Sequence, residues 1–440
     1  MALDEALRLR SDATLEHTES ARVLRAGFVR MSLGAPEPAG DAALDVLRNG
    51  GGTELDLVRA AMAAGGEQAA IPFQMLLHRL RSGGWLQRTL RVDGRAIATL
   101  RPLGHRAAPP AVPLDPSLPV TMSRFALLRM QDGETLLESP RAAAQVVLHD
   151  PDVARLVASL PDAEAPIELL QLFADAAIVV QGDESKSLAP WSFHELLFHA
   201  RSRFGRHVGG FGGTYRLEGE AEPLPAVKPV TGATTPLPEP TLDDATPLVE
   251  AMEERTSIRR HDDEHPIDAA RLGELLYRSA RVRRVFSDGK QDLSSRPYPS
   301  GGSTYELEIY PLVRVCTGVD PGLYRYDAAG HVLELVSEPS PATQSLLEFA
   351  RVTSVMDAAP QVVLLVTSRF GRVAWKYESI AYSLTLKQVG ALFQNLYLVA
   401  TALGLAPCAL GGGDPDAFAA ASGIDYETES TVGEFVVGSA

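Results

Sequence analysis

Hydrophobic positions along this chain of 440 residues change period from segment to segment, and each change predicts a different kind of element. In the first hundred residues the period is helical. Ala42–Leu47 predicts a short helix, and Thr53 stands as the N-cap of the next, with Asp56 three residues on as its capping-box partner. Phe73, Leu76, Leu77 and Leu80 recur at i, i+3, i+4, i+7, one apolar stripe of a third helix that ends at Gly83-Gly84. The period then shortens to that of strands, with Gln87–Val92 and Arg95–Leu100 flanking Asp93-Gly94, a strong two-residue hairpin signal. The next segment predicts a strand at Phe125–Met130, helices at Arg141–Val146, Pro151–Leu160 and Pro166–Ala174, and an apolar run at Ala176–Val180. Further on, helices are expected at Pro247–Arg255 and Asp268–Ala280, the latter with Leu272, Leu275, Leu276 and Ser279 on one side. Strands are expected at Tyr305–Val315, Gln361–Thr367 and Glu434–Val437. A long, nearly all-apolar helix over Tyr382–Leu403 is stopped by Gly404, with Pro407 just beyond.

Punctuation divides these elements. Glu222–Pro247 is rich in proline, which removes backbone donors and favours extended backbone, so it reads as a linker or an arm over the surface. Ala107–Pro119 is a weaker break. Three helices followed by a hairpin is the order of a winged-helix module. The expected division is therefore a winged-helix-like domain at 1–106, a second winged-helix-like or lead-in domain at 120–220, a Pro-rich linker at 221–247, and an α+β domain at 248–440 built around the buried helix.

Composition narrows the function. A net charge of −15 argues against a nucleic-acid binder, which should look basic. No apolar run approaches the roughly 20 residues of a membrane helix, and the acidic N-terminus lacks a signal-peptide profile. Cys316 and Cys408 cannot build a disulfide framework and lack metal-ligand spacing. A cytoplasmic enzyme without a metal is the expectation. Lysine is scarce, occurring only as Lys186, Lys228, Lys290, Lys376 and Lys387.

Among candidate motifs, HELLFH at His194–His199 has one residue too many for a zinc helix, because an i, i+5 pair does not share a face. GGFGGTY at Gly209–Tyr215 and the glycines 411–413 are not followed by the lysine of a P-loop. RTSIRR at Arg255–Arg260 gathers arginine forks and hydroxyls that suit a phosphate monoester. In RPYPSGGSTYELEIYPLV, Gly301 and Gly302 let backbone N–H groups approach a flat ring or an anion just before a strand. Trp375, Lys376 and Tyr377 precede the long helix, and a lysine beside a tyrosine can supply a general base and its partner. Gln388, Gln394 and Asn395 are amides on an apolar helix that could read a ligand's polar edge or satisfy one another.

Taken together and in this order, RTSIRR, PSGG before a strand, AP before an apolar strand, WKY and QNLYLVATALGLAPCALGGG resemble the nitroreductase-like FMN fold over Leu248–Ala440. More narrowly they resemble the SagB-type dehydrogenases, which oxidise azolines in ribosomally made peptides, and WSFHELLFHARSRFGRH with GGTY resembles the lead-in of that family. The resemblance implies that Arg255, Ser257 and Arg259 bind the FMN phosphate. It implies that Pro299, Ser300, Gly301 and Gly302 contact the flavin from the other subunit of a homodimer. Ala409, Leu410, Gly411 and Gly412 would lie against the isoalloxazine, with Gln394 nearby, and Lys376 and Tyr377 would be the catalytic pair. The implied reaction converts thiazolines or oxazolines to azoles, removing a proton from Cα and a hydride from Cβ. The implied partners are a precursor peptide with a leader and a cyclodehydratase, with the leader held by the N-terminal segments as an added strand beside the hairpin. Arg88, Arg91, Arg95 and Arg101 would favour an acidic leader. The rival readings are an NAD(P)H-dependent nitroreductase or flavin reductase, a non-catalytic peptide-binding scaffold, and a winged-helix regulator on DNA.

Overall fold

The structure, a computed structural model, describes residues 3–17, 21–26, 29–104, 111–162, 164–241 and 246–440. Parts of the two Pro-rich breaks, 107–110 and 242–245, lie outside the described residues. The chain divides into two compact units, Met1–Phe211 and Gly212–Ala440.

In the first unit, Thr53 and Asp56 close the expected capping box at the start of helix Glu54–Gly65. The third helix, Ala70–Ser82, buries Phe73, Leu77 and Leu80. The hairpin forms from Leu86–Val92 and Arg95–Pro102, and both turn residues, Asp93 and Gly94, have positive φ (49° and 78°), as a two-residue type I′ turn requires. Leu3–Leu9 pairs with one side of the hairpin and Ala144–Leu148 with the other. Glu134–Glu138 and Leu127–Gln131 extend the same antiparallel sheet.

Three expectations are corrected here. Arg141–Val146 is not helical; Ala144–Leu148 is a strand buried at every residue, where the β-branched Val146 and Val147 fit a sheet better than a helix. The segments 1–106 and 120–220 are not separate modules, because one continuous sheet runs through both. With both hairpin edges occupied, a peptide cannot add a strand there. The four arginines are also committed within the chain: Arg88 to Glu5 and Asp175, Arg91 to Asp4, Arg95 to Asp150 and Arg101 to Glu134.

The second unit is built on a seven-stranded antiparallel sheet. Its order is Thr234–Pro236, Val332–Ser337, Gly322–Asp327, Leu307–Val313, Val362–Arg369, Glu429–Ser439 and Leu405–Ala409. Side chains alternate across it with period 2. Val362, Leu364 and Val366 face a core completed by helices Ala269–Ala280 and Ala381–Ala402. Val363 and Leu365 face a second core under helices Pro341–Ser354 and Pro415–Ser422. The sheet is thus covered on both faces, which is why Val362–Val366 reads as one apolar run.

The segment expected as a linker is integrated into this unit. Ala226 and Leu237 are buried, and Thr234–Pro236 adds an edge strand. Buried charges of the sheet hold it through its backbone, since a proline-rich stretch still offers carbonyls. Arg325 donates to the Pro229 carbonyl (3.0 Å), Lys228 pairs with Glu429 (2.6 Å), and Glu334 accepts the N–H groups of Thr231 and Gly232 (both 2.6 Å). Burial alone would raise the Glu334 pKa, but those N–H groups and Arg325 outweigh it and hold the carboxyl near 2.

His261 offers a stability test. Its Nδ1 accepts the Gln361 N–H (3.1 Å), and burial lowers its pKa to about 4. The unfolded chain, with an ordinary histidine, binds the proton at higher pH, so stability is full above about 6.5 and declines as pH falls toward 4. Thermal unfolding across that window is expected to show a fall in Tm that is shallower in His261→Asn; parallel curves would contradict the assignment.

Candidate functional site

The PSGG loop turns from Arg296 into the strand Leu307–Val313 through a short 3₁₀ turn at Gly301–Ser303. Gly302 has φ +58°, and a Cβ there would overlap Tyr377 Oη and come within 3.1 Å of Lys376 Nζ. Glycine is therefore required twice, for the left-handed backbone and for the close approach. The loop and the Lys-Tyr pair, 74 residues apart by number, form one cluster within one chain. Lys376 ends the helix Phe370–Lys376, and Tyr377 begins a two-residue strand paired with Gly213. The Lys376 ammonium lies 3.6 Å from Asp288. Burial works to raise the Asp288 pKa, but the N–H groups of Gln291 and Lys290, with Lys376, hold it below the ordinary value.

Behind the loop is a buried polar network. The Ser300 hydroxyl donates to Gln388 and accepts the Tyr305 N–H (3.0 Å). Gln388 Nε2 and the Thr385 hydroxyl both donate to Glu306 Oε1 (2.9 and 3.0 Å). Burial pushes the Glu306 carboxyl above its ordinary range. Gln388 thus supports the loop. Pro299 is exposed.

The other candidates gather elsewhere. The Tyr397 hydroxyl meets Ser257 Oγ (2.7 Å) and accepts the Ala409 N–H (2.8 Å), and the Arg255 guanidinium stacks over the Tyr397 ring at 5.2 Å. Ile258 N–H donates to the Pro407 carbonyl (2.9 Å), so RTSIRR runs beside the strand that leads into Leu410–Gly412. Arg259 and Gln394 are exposed, and Asn395 donates to the Ser279 carbonyl (2.8 Å). Leu410, Gly411, Gly412 and Gly413 line a cavity of about 220 Å³ with Phe393, Thr431 and Glu434. No atom lies within 4 Å of where a Gly411 Cβ would sit, so a flat ring can reach that backbone. Burial raises the Glu434 pKa against a hydrogen bond with Thr431. This open glycine backbone, with Arg255 and Ser257 alongside, fits a flavin ring and its phosphate.

The two clusters sit at opposite ends of one helix. Leu384 packs 3.3 Å from the Cβ position of Gly301, whereas Tyr397 anchors the phosphate-type cluster. At 1.5 Å per residue, roughly 20 Å of helix separates them.

Sequence reasoning missed Tyr397, Glu306 and Arg372. Arg372 is fully buried and donates to the carbonyls of Thr304, Leu224 (2.6 Å) and Asp292 (2.6 Å). Burial lowers its pKa to about 10. A lone arginine in the apolar stretch before WKY was its only signal. Tyr397, one aromatic in an apolar helix, had none.

The chain is similar to known proteins over both units. Residues 252–439 match the nitroreductase family, and residues 120–179 and 162–208 match the cyanobactin oxidase ThcOx family. "Putative nitroreductase MJ1384" of Methanocaldococcus jannaschii is 27% identical over 164 residues, covering 37% of this chain and 78% of that protein. The microcin B17-processing protein McbC of Escherichia coli is 30% identical over 127 residues, covering 28% of this chain and 46% of that protein. A chain of the E. coli microcin synthetase McbBCD complex with truncated pro-MccB17 bound aligns at 21% identity and TM-score 0.35, covering 59% of this chain and 98% of that one. Residues 252–439 are thus similar to nitroreductase-family oxidoreductases, and residues 120–208 to the cyanobactin oxidase ThcOx family.

Gly302→Ala is expected to lower stability by about 1–2 kcal/mol from the left-handed backbone alone, and more through displacement of Tyr377. Denaturant unfolding checks this; a change within error would show that the loop moves freely away from the pair.

Proposed function

We propose that this nitroreductase-family chain is an FMN-dependent azoline dehydrogenase, which oxidises thiazolines or oxazolines of a ribosomally made precursor peptide to thiazoles or oxazoles in the cytoplasm. The observation that carries the reading is the meeting of Gly302 with Lys376 and Tyr377, a glycine backbone laid against a potential base and its hydroxyl partner. The matches to the cyanobactin oxidase family and to a microcin-processing protein support a peptide substrate.

Arg255 and Ser257 would hold the FMN phosphate, with Arg259 closing over it, and Ala409–Gly412 would back the ring. Pro299–Gly302 would meet the ring from a second copy. The exposed apolar residues Leu248, Val249 and Met252 on one short helix support such a homodimer. FMN, when bound, would supply a hydride acceptor for the substrate Cβ. The protein's own task is to place the ring within near-attack distance, to take the Cα proton at Lys376 Nζ or Tyr377 Oη, and to hold the lysine beside Asp288 while it does so. A cyclodehydratase would supply the azoline. The leader peptide would dock on the first unit, where a cavity of about 790 Å³ opens between His78, Arg81, Leu100, Pro102 and Gln171.

In air, the flavin-loaded protein is expected to remove a hydrogen pair from each azoline of a model peptide, read by mass. Lys376→Ala and Tyr377→Phe are expected to retain FMN yet lose about a hundredfold or more in turnover. Unchanged peptide mass, with rapid flavin reduction by NAD(P)H, would establish the reductase reading instead.

A further inference from the structure

Residues 209–251 lie between the two regions matched by family models, yet a strap beginning at Gly212 contacts the Lys-Tyr helix along its length. Gly212 and Gly213 pair as a strand with Glu378 and Tyr377. The Thr214 hydroxyl donates to Glu378 (2.9 Å), and the Tyr215 N–H donates to the Lys376 carbonyl (3.0 Å). Trp375 Nε1 donates to the Ala221 carbonyl (2.7 Å), Arg372 to that of Leu224 (2.6 Å), and Arg369 to that of Pro225. Side chains of Trp375, Arg372 and the preceding Arg369 thus donate to three carbonyls of the strap, and the Lys376 carbonyl accepts from it.

Within that strap Tyr215 faces the lysine. Its ring lies 5.4 Å from Lys376 Nζ and 4.3 Å from Lys290 Nζ, and it packs edge-on against Trp375 at 5.7 Å. Both ammonium groups are within the roughly 6 Å at which a ring face attracts a cation. Tyr215 also adopts φ +55°, a left-handed backbone that a tyrosine keeps only where its surroundings impose it. Lys290 is itself paired with Glu218, so the ring is shared by two cations, and Asp288 completes the surroundings of Lys376.

We infer that Tyr215 is a positioning residue for Lys376: its ring face fixes the ammonium beside Gly302 and Tyr377, and the strap makes it part of the active site. The inference rests on Lys376 being the catalytic lysine, but its test does not require azoline oxidation. The intact protein is labelled with trace acetic anhydride across a pH series, and the reaction of Lys376 is followed by peptide mass relative to the exposed Lys387. Tyr215→Phe keeps the ring and is expected to titrate as wild type. Pentafluorophenylalanine incorporated at position 215 keeps the shape but reverses the ring's charge distribution. It is expected to lower the pH of half-reaction of Lys376 by about half a unit or more, with Tyr215→Leu shifting the same way. Lys376 titrating identically in the Phe and pentafluorophenylalanine proteins would overturn the inference. Failure of the azoline assay with the labelling shift intact would overturn the proposed reaction and leave this role standing.

Discussion

The constraint on which the second unit depends is a single long helix, buried along one face and not all round as its apolar sequence suggests. Ala381–Ala402 buries Val389, Leu392, Leu396 and Ala400 against the sheet, and its length fixes how far apart its ends can be. One end packs under Gly301 and holds Gln388 in the network behind the PSGG loop. The other holds Tyr397, which meets both Ser257 and the Ala409 N–H. Because a helix is stiff along its axis, the two clusters cannot slide together. The proposed homodimer would bring the PSGG loop of one copy to the glycine backbone of the other.

Buried charge does the rest of the positioning. Arg372, Arg325, Lys228 and Glu334 would each be costly inside the protein if unpaired. Here they are satisfied by carbonyls, N–H groups and carboxylates drawn from the Pro-rich arm as well as from the sheet. The arm is thereby locked to the domain, and Arg372 ties it to Asp292 and to Thr304, just after the loop. Of the two forms its composition suggests, a linker or an arm over the surface, the stretch takes the second, anchored at these points.

Much of the fold was legible because local rules and tertiary packing agree. The Thr53 capping box, the Asp93-Gly94 turn, the apolar run at Val362 and the helix stop near Gly404 all appear where the chain signals them. Strands Gly322–Asp327 and Val332–Ser337 were not legible, since their buried Arg325 and Glu334 interrupt the apolar pattern and are satisfied by each other, by Glu308 and by the arm. Arg141–Val146 misled because its alanines favour a helix, whereas the following valines are claimed by the sheet. At the site, the motifs were readable as chemistry, but which of them meet was not. That depends on the length of one helix and on contacts such as Gly302 with Tyr377, which no spacing rule encodes.

The most direct test of this account is complementation between two inactive subunits. Arg255→Ala removes the proposed phosphate ligand and Lys376→Ala the proposed catalytic group, and each homodimer alone is expected to be inactive. When the two are co-expressed and mixed dimers purified by separate tags, one site per dimer pairs an intact phosphate cluster with an intact loop and Lys-Tyr cluster from its partner. The account expects azoline turnover to reappear in that mixed dimer. Mixed dimers that form and bind FMN but stay as inactive as both parents would show that each site is built within one chain, contradicting the central claim.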